Sequence, residues 1–146
     1  MGFEKILSAT DISASGLAAE RIRMEVVANN IANAHSTRSA GGGPFRRQDV
    51  IFSALLNERP ALVVPGQELL GGVEILGIED DPSELLRVYQ PGHPDAGRDG
   101  YVTMPNVQLP IEMVNLITAS RAYEANLRVL RSFRQMAEQA LALMRG

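Results

Sequence analysis

All eight prolines and ten of the thirteen glycines of this chain fall between Gly41 and Pro110. Only Gly2 and Gly16 precede that window, and only Gly146 follows it. In a helix interior glycine costs about 1 kcal/mol and proline about 3 kcal/mol relative to alanine. The two outer segments are therefore free to run as long helices, and the middle is not. Charge divides along the same lines. Residues 1–40 are balanced, residues 41–110 carry ten acids against five bases, and residues 111–146 carry five bases against three acids. The chain reads as an N-terminal helical arm (1–40), a central Gly/Pro-rich β region (41–110) and a long C-terminal helix (111–146).

The N-terminal helix is expected from about Ser8 to Asn33. Leu17, Met24 and Ile31 recur every seven residues, with Val27 and Ala28 in the turn between, so they share one face. Ser13 or Ser15 offers a cap, and Gly16 weakens any helix that begins earlier. Asn29, Asn30 and Asn33 are poor helix material, because asparagine competes for backbone hydrogen bonds and suits helix ends. The helix should stop there, with these amides turned toward backbone groups of the chain or of a neighbour.

The C-terminal pattern is cleaner. From Pro110 to Met144, the residues Leu116, Tyr123, Leu130, Ala137 and Met144 recur every seven positions. Ala119, Leu127, Phe133, Ala140 and Leu141 fill the steps of three and four between them. Pro110 suits a first turn, where its missing N–H does no harm. Some 33 residues at 1.5 Å each make a helix of about 50 Å, about three times the mean length. Leu130, seven residues from both Tyr123 and Ala137, is expected to be among the most enclosed positions.

Between the helices lies strand and turn material. Phe45–Phe52 and Gly72–Ile78 alternate in part, Leu85–Tyr89 is a third short run, and Tyr101–Met104 suggests a fourth strand. Glycine and proline clusters at 41–44, 71–72 and 91–94 punctuate them. Three or four such strands make a small sheet that is marginal unless something packs on it.

The composition removes several kinds of chemistry. Without cysteine there is no disulfide, thiolate zinc site or cysteine nucleophile. His35 and His93, the two histidines, supply a metal centre poorly. A net charge of −3 argues against a dedicated nucleic-acid binder. No run approaches the ~20 apolar residues of a membrane span, so direct membrane insertion is not expected. The N-terminal residues lack the pattern of a cleavable secretory signal.

Individual residues offer little catalysis. His93 stands beside Asp95 and near Asp99, a conceivable base with an orienting acid, but Pro91 and Pro94 make the segment a rigid turn. Glu79, Asp80 and Asp81 precede Pro82 as a solvated turn would, without calcium-loop spacing. Gly41–Gly43 is followed by no Gly-Lys-Ser/Thr, so it is not a P-loop. Arg121, Arg128, Arg131 and Arg134 drift around the helix rather than forming one basic stripe. No catalytic, cofactor or metal residue is expected.

The fold expected is α+β: long N- and C-terminal helices packed as an antiparallel coiled-coil hairpin, with a small central β-rich region. Such seams expose apolar surface that other chains would cover, as in a helical or tubular assembly. The candidate assembly residues are Leu17, Met24, Ile31, Asn29, Asn30, Asn33, Leu116, Tyr123, Leu127, Leu130, Phe133 and Ala137. The alternative is a soluble self-associating coiled-coil regulatory or scaffold protein.

Several segments also resemble a known family. Ser13 to Arg21, Met24, and Ala28 to Asn33 are similar to the signature shared by bacterial flagellar rod and hook proteins. Gly43–Arg47, Tyr89–Ala96 and Asp99–Val107, then Glu112–Ile117 and Ser120–Asn126, resemble the proximal-rod members of the flagellar basal-body rod family. The resemblance spans nearly the whole chain. It implies a non-enzymatic subunit of the tubular rod, which carries torque for motility, with no cofactor. The implied partners are other proximal and distal rod proteins, the rod-to-ring adaptor FliE, basal-body ring components and further copies of itself. It also implies a basal-body location in the periplasmic space, reached by type III export without a cleavable signal. The chain departs from the family's pattern at His35–Gly41 and at Leu109–Ile111, where the helix boundary is affected.

Overall fold

The computed structural model describes residues 2–39, 41–56 and 70–145. Their order is α1 (Gly2–Ala32), β1 (Gln48–Leu56), β2 (Leu70–Asp80), β3 (Leu86–Tyr89), β4 (Tyr101–Met104) and α2 (Leu109–Arg145). The fold is α+β, two long helices with small antiparallel sheets. Residues 57–69 of the expected central β region lie outside the described residues.

Helix α1 begins well before Ser8 and passes straight through Gly16. The glycine is tolerated because α2 comes close there: a Cβ on Gly16 would stand 2.9 Å from Asn126 Nδ2. The helix ends at Ala32, inside the asparagine run, as its residue chemistry requires. The Asn29 carbonyl accepts from the Asn33 backbone N–H at 3.1 Å and also from Asn33 Nδ2 at 2.9 Å, a doubled bond at the helix C-terminus.

Helices α1 and α2 lie against each other. Asn30 is bonded to Glu112, and Gly16 faces Asn126. Each step of fourteen residues back along α1 is a step of fourteen forward along α2, so the two run in opposite directions. At 1.5 Å per residue those two contacts are about 21 Å apart. Ala19 on α1 and Ala119 on α2 are both buried.

The single sheet expected from the sequence is instead two separate two-stranded ribbons. In the first, β1 and β2 pair antiparallel from Gln48↔Asp80 to Leu56↔Leu70, with register shifts after Ile51 and Leu55. This ribbon lies along α1. It is fastened at Asn30, beside Gln48, and again at Ser15, whose hydroxyl accepts from Val73 N–H at 3.1 Å. Gly72 belongs at that second contact. Its φ is +130°, and a Cβ there would collide with the Ser15 hydroxyl.

The second ribbon is the β3–β4 hairpin, paired from Leu86↔Met104 to Tyr89↔Tyr101. Tyr89 and Tyr101 meet edge to face at 5.2 Å, and Arg87 sits 5.3 Å from the Tyr101 ring centre. These contacts close a hairpin too short to be stable alone. Among the described residues the buried apolar side chains are few: Ala19, Val26, Val27, Ala34, Val102 and Ala119.

Candidate assembly surface and polar joint

Beneath the few apolar core residues lies a polar centre. Asn30 and Glu112 are both 0% exposed. Asn30 sits in the last turn of α1 and Glu112 in the first turn of α2, where the helix dipole favours a carboxylate. Asn30 Oδ1 accepts from Gln48 N–H at 2.9 Å, and its Nδ2 donates to the Gln48 carbonyl at 2.8 Å. Its second N–H reaches Glu112 Oε2 at 3.1 Å. The remaining carboxylate oxygen, Oε1, accepts from Arg47 Nε at 2.8 Å. Every charged or amide donor in this row has a partner, which burial demands.

Arg47 carries the network outward. Its guanidinium pairs with Asp49 on both terminal nitrogens and lies 3.5 Å from Asp81. The hydrogen bond to Asp49 raises its pKa most, burial opposes, and the bonds and charge of Glu112 add to the rise. It stays cationic at any ordinary pH. The Arg47 main chain donates to Asn106 Oδ1 at 2.8 Å and accepts from Asp81 N–H at 2.7 Å. Asn106 in turn donates to the Asp81 carbonyl and to Ser83 Oγ. The Asp81 carboxylate is held below its ordinary range, first by the Ser83 backbone N–H, then by the Ser83 hydroxyl and Arg47.

The residues weighed for catalysis are taken up in turns. His93 Nδ1 accepts from Asp95 N–H at 3.1 Å. Asp95 accepts from the Thr37 hydroxyl at 2.8 Å and pairs with Arg38 at 3.0 Å. Asp99 pairs with Arg87 and accepts from Tyr101 N–H. Arg128 and Arg134 pair with Glu124 and Glu138 one turn away on their own helix. Among the described residues no group of His, Cys, Asp or Glu is set to hold a metal ion.

The twelve candidate assembly residues divide by exposure. Leu17, Met24, Ile31, Leu116, Tyr123, Leu127, Leu130, Phe133 and Ala137 are all half-buried within the single chain. Asn29 is exposed, Asn33 half-buried and Asn30 fully buried. Asn30 therefore spends its amide inside its own chain. Among the described residues the most enclosed positions of α1 are Ser13, Ala19, Val26, Val27 and Asn30. Val27 belongs to the face of Leu17, Met24 and Ile31, whereas Ala19, Val26 and Asn30 lie further round the helix. Leu130 is not among the most enclosed residues of α2; Glu112 and Ala119 are.

Glu112, Arg47 and Asn106 were not marked as site residues by sequence reasoning. Their partners lie 65, 82 and 59 positions away, so no local spacing reveals them. The available signals were an acid in the first turn of α2 and the presence of all three residues in segments that carry the family resemblance, Gly43–Arg47, Asp99–Val107 and Glu112–Ile117.

Much apolar surface is left uncovered. On α2, Ile111, Met113, Val114 and Ile117 are exposed in the first turns, and Val129, Met136 and Leu143 further along. On the first ribbon Ile51, Phe52, Leu55, Val73, Leu76 and Ile78 are exposed. No helix among the described residues is long and apolar enough to cross a membrane.

Two family models match the chain. Residues 11–38 match "Flagella basal body rod protein", and residues 98–143 match "Flagellar basal body rod FlgEFG protein C-terminal". The chain is 41% identical to the flagellar basal-body rod protein FlgC of Borreliella burgdorferi, over 97% of this chain and 99% of the relative. It is 42% identical to FlgC of Yersinia enterocolitica, over 94% and 97%. It is 37% identical to FlgC of Bacillus subtilis, over 91% and 94%.

Proposed function

Because the chain belongs to the FlgC family of flagellar basal-body rod proteins, we propose that it builds the proximal section of the rod through its two long helices. It is a structural subunit of the flagellar rod, not an enzyme. In the proposed arrangement α1 and α2 form an antiparallel coiled coil. Their outer faces meet those of neighbouring subunits, and the resulting tube transmits torque. Partners are further copies and other rod proteins, with FliE at the base and ring components around it. The subunit would reach its place in the periplasm by the flagellar type III route.

The observation that carries this reading is the half-covered state of α2. This helix has 37 residues, about 55 Å at 1.5 Å each, and α1 packs along one side of it. The opposite side shows Met113, Val114 and Ile117 at 58%, 61% and 54% exposure. Exposed apolar side chains gathered on one helix face in this way mark an interaction site. The fourteen-residue advance on both helices, two heptads, supports the coiled-coil geometry.

The test is complementation of a strain lacking its own copy, with the subunit sought in purified basal bodies. Recovery in the basal-body fraction with restored swimming is the expected result. A chain that stays in the soluble fraction while swimming is unrestored would instead favour the regulatory or scaffold reading.

A further inference from the structure

Neither strand of the β3–β4 hairpin runs alongside α1, α2 or the β1–β2 ribbon. Its orientation must therefore be set through the segments that lead into and out of it. Three connecting segments matter here: 33–47 from α1 to β1, 81–85 from β2 to β3, and 105–108 from β4 to α2. All three meet at one place. Arg47 ends the first, Asp81 and Ser83 lie on the second, and Asn106 lies on the third. Asn106 takes Arg47 N–H on its oxygen and gives its own N–H groups to Asp81 O and Ser83 Oγ. Arg46 adds two bonds to the carbonyls of Asp81 and Ser83. The cluster is tied to both helices at once, since Arg47 reaches Glu112 on α2 and Glu112 reaches Asn30 on α1.

We propose that Asn30, Arg47, Asn106 and Glu112 form a joint that fixes the orientation of the β3–β4 hairpin relative to the two helices. Burial supports a mechanical role. An apolar contact can slide, because its attraction is non-directional. A buried amide or carboxylate cannot, because a small rotation leaves it without a partner in a dry site. Asn30 and Glu112, both 0% exposed, are groups of that kind, and they tie the helices to the Arg47 end of the cluster. The Thr37–Asp95 and Arg38–Asp95 contacts brace the hairpin loop from the first segment, but Arg38 and its ion pair lie near solvent. Surface pairs of that kind contribute little. The consequence in the rod rests on the structural-subunit reading above; the joint itself is a property of the single chain.

The experiment uses the full chain as a purified monomer. The sequence has no cysteine, so Arg98→Cys and Gln139→Cys give a clean pair of spin labels, one in the hairpin loop and one far along α2. Pulsed electron resonance should return one narrow distance distribution for this background and for Arg128→Ala, a local surface pair on α2. Asn106→Ala and Glu112→Gln should each broaden it at least about twofold while the circular dichroism of the helices is unchanged. Asn30→Ala should speed exchange of the Gln48 amide roughly tenfold, the loss of one hydrogen bond of about 1.4 kcal/mol. A broad distribution in the unmutated background would overturn the proposal without recourse to any variant. So would a narrow one in both Asn106→Ala and Glu112→Gln, or loss of helicity in both, which would make them fold-stabilising residues with no separate role. Incorporation into basal bodies is read independently, so failure of the joint and failure of the rod reading give different results.

Discussion

Gly16 stands against Asn126 at the α1–α2 contact, where a Cβ on the glycine would come within 2.9 Å of the amide nitrogen. The obstacle is the far end of a flexible side chain, and Asn126 is half-buried. Gly16→Ala should therefore be tolerated. The gain in helix propensity, up to about 1 kcal/mol, is set against the displacement of one amide. Gly16→Leu has no such escape, and overpacking of this kind costs about 1–3 kcal/mol. Urea unfolding should show a midpoint near wild type for alanine and clearly lower for leucine. Equal losses for both would mean that the helices cannot separate even slightly here.

The other glycine contact is less forgiving. At Gly72 both the positive φ and the Ser15 hydroxyl oppose a side chain. Gly72→Ala should cost more than Ser15→Ala, which removes two exposed hydrogen bonds, one accepted from Val73 N–H and one donated to the Ile12 carbonyl, together about 1–2 kcal/mol. Protection of the Val73 amide from exchange should fall in both variants, whereas the β3–β4 amides should keep theirs. Retained protection at Val73 in Ser15→Ala would show that the hydroxyl does not fasten the ribbon.

Asn33 acts locally. Its Nδ2 donates to the Asn29 carbonyl and side chain, and its Oδ1 accepts from Ser36. Asn33→Ala should lower stability by about 1 kcal/mol, as loss of a cap does. If the isolated chain melts as wild type while rod incorporation fails, the amide serves a neighbouring subunit instead.

These contacts show what was legible in the sequence and what was not. The positions of the helices followed from the absence of glycine and proline; β3 and β4 fell close to where the turns bracket them, whereas β1 runs on to Leu56 and β2 extends to both sides of Gly72–Ile78. Asn30 was visible as a helix-ending amide facing backbone. Its partner Gln48 was not, because a bond to a peptide group leaves no mark on the partner's side chain. Glu112 was hidden for the opposite reason: an acid in a first turn is ordinary, and only the fold brings Arg47 beside it. The heptad marked Leu17, Met24 and Ile31, while the chain's own packing extends further round the helix to Ala19, Val26 and Asn30. A helix that also supports a ribbon must bury a second stripe, and heptad spacing reports only one.

Acid should loosen the turns before the helices. Asp81 and Asp99 are both held below their ordinary value of 3.8, by the backbone N–H groups of Ser83 and Tyr101 first, with help from Arg47 and Arg87. A carboxylate lowered on folding stabilises the fold fully above its unfolded value and ceases to do so as pH falls through its lowered one. Carbon-13 titration should give midpoints under 3.8 for both, and Asp81 should move upward in Arg47→Met. An unchanged Asp81 midpoint in that variant would leave the Ser83 turn as its sole influence.

Leu130 separates what the chain needs from what the assembly needs. Continuing the advance that pairs Asn30 with Glu112 and Gly16 with Asn126 places it opposite Ile12, itself 38% exposed. In the isolated chain Leu130 is half-buried, so Leu130→Asp exposes its new carboxylate to water and should cost about 1–2 kcal/mol. No base stands ready nearby: Arg134 is bonded to Glu138 at 2.9 Å, and Arg131 is exposed. Once neighbouring subunits cover the seam, the unpaired charge should cost several kcal/mol. The variant is therefore expected to keep the β3–β4 hairpin and most of its helicity while failing to enter basal bodies or to restore swimming. Arg131→Ala, one residue on, should be close to wild type in both respects. Normal motility with Leu130→Asp would mean that this stretch of the seam faces water in the finished rod.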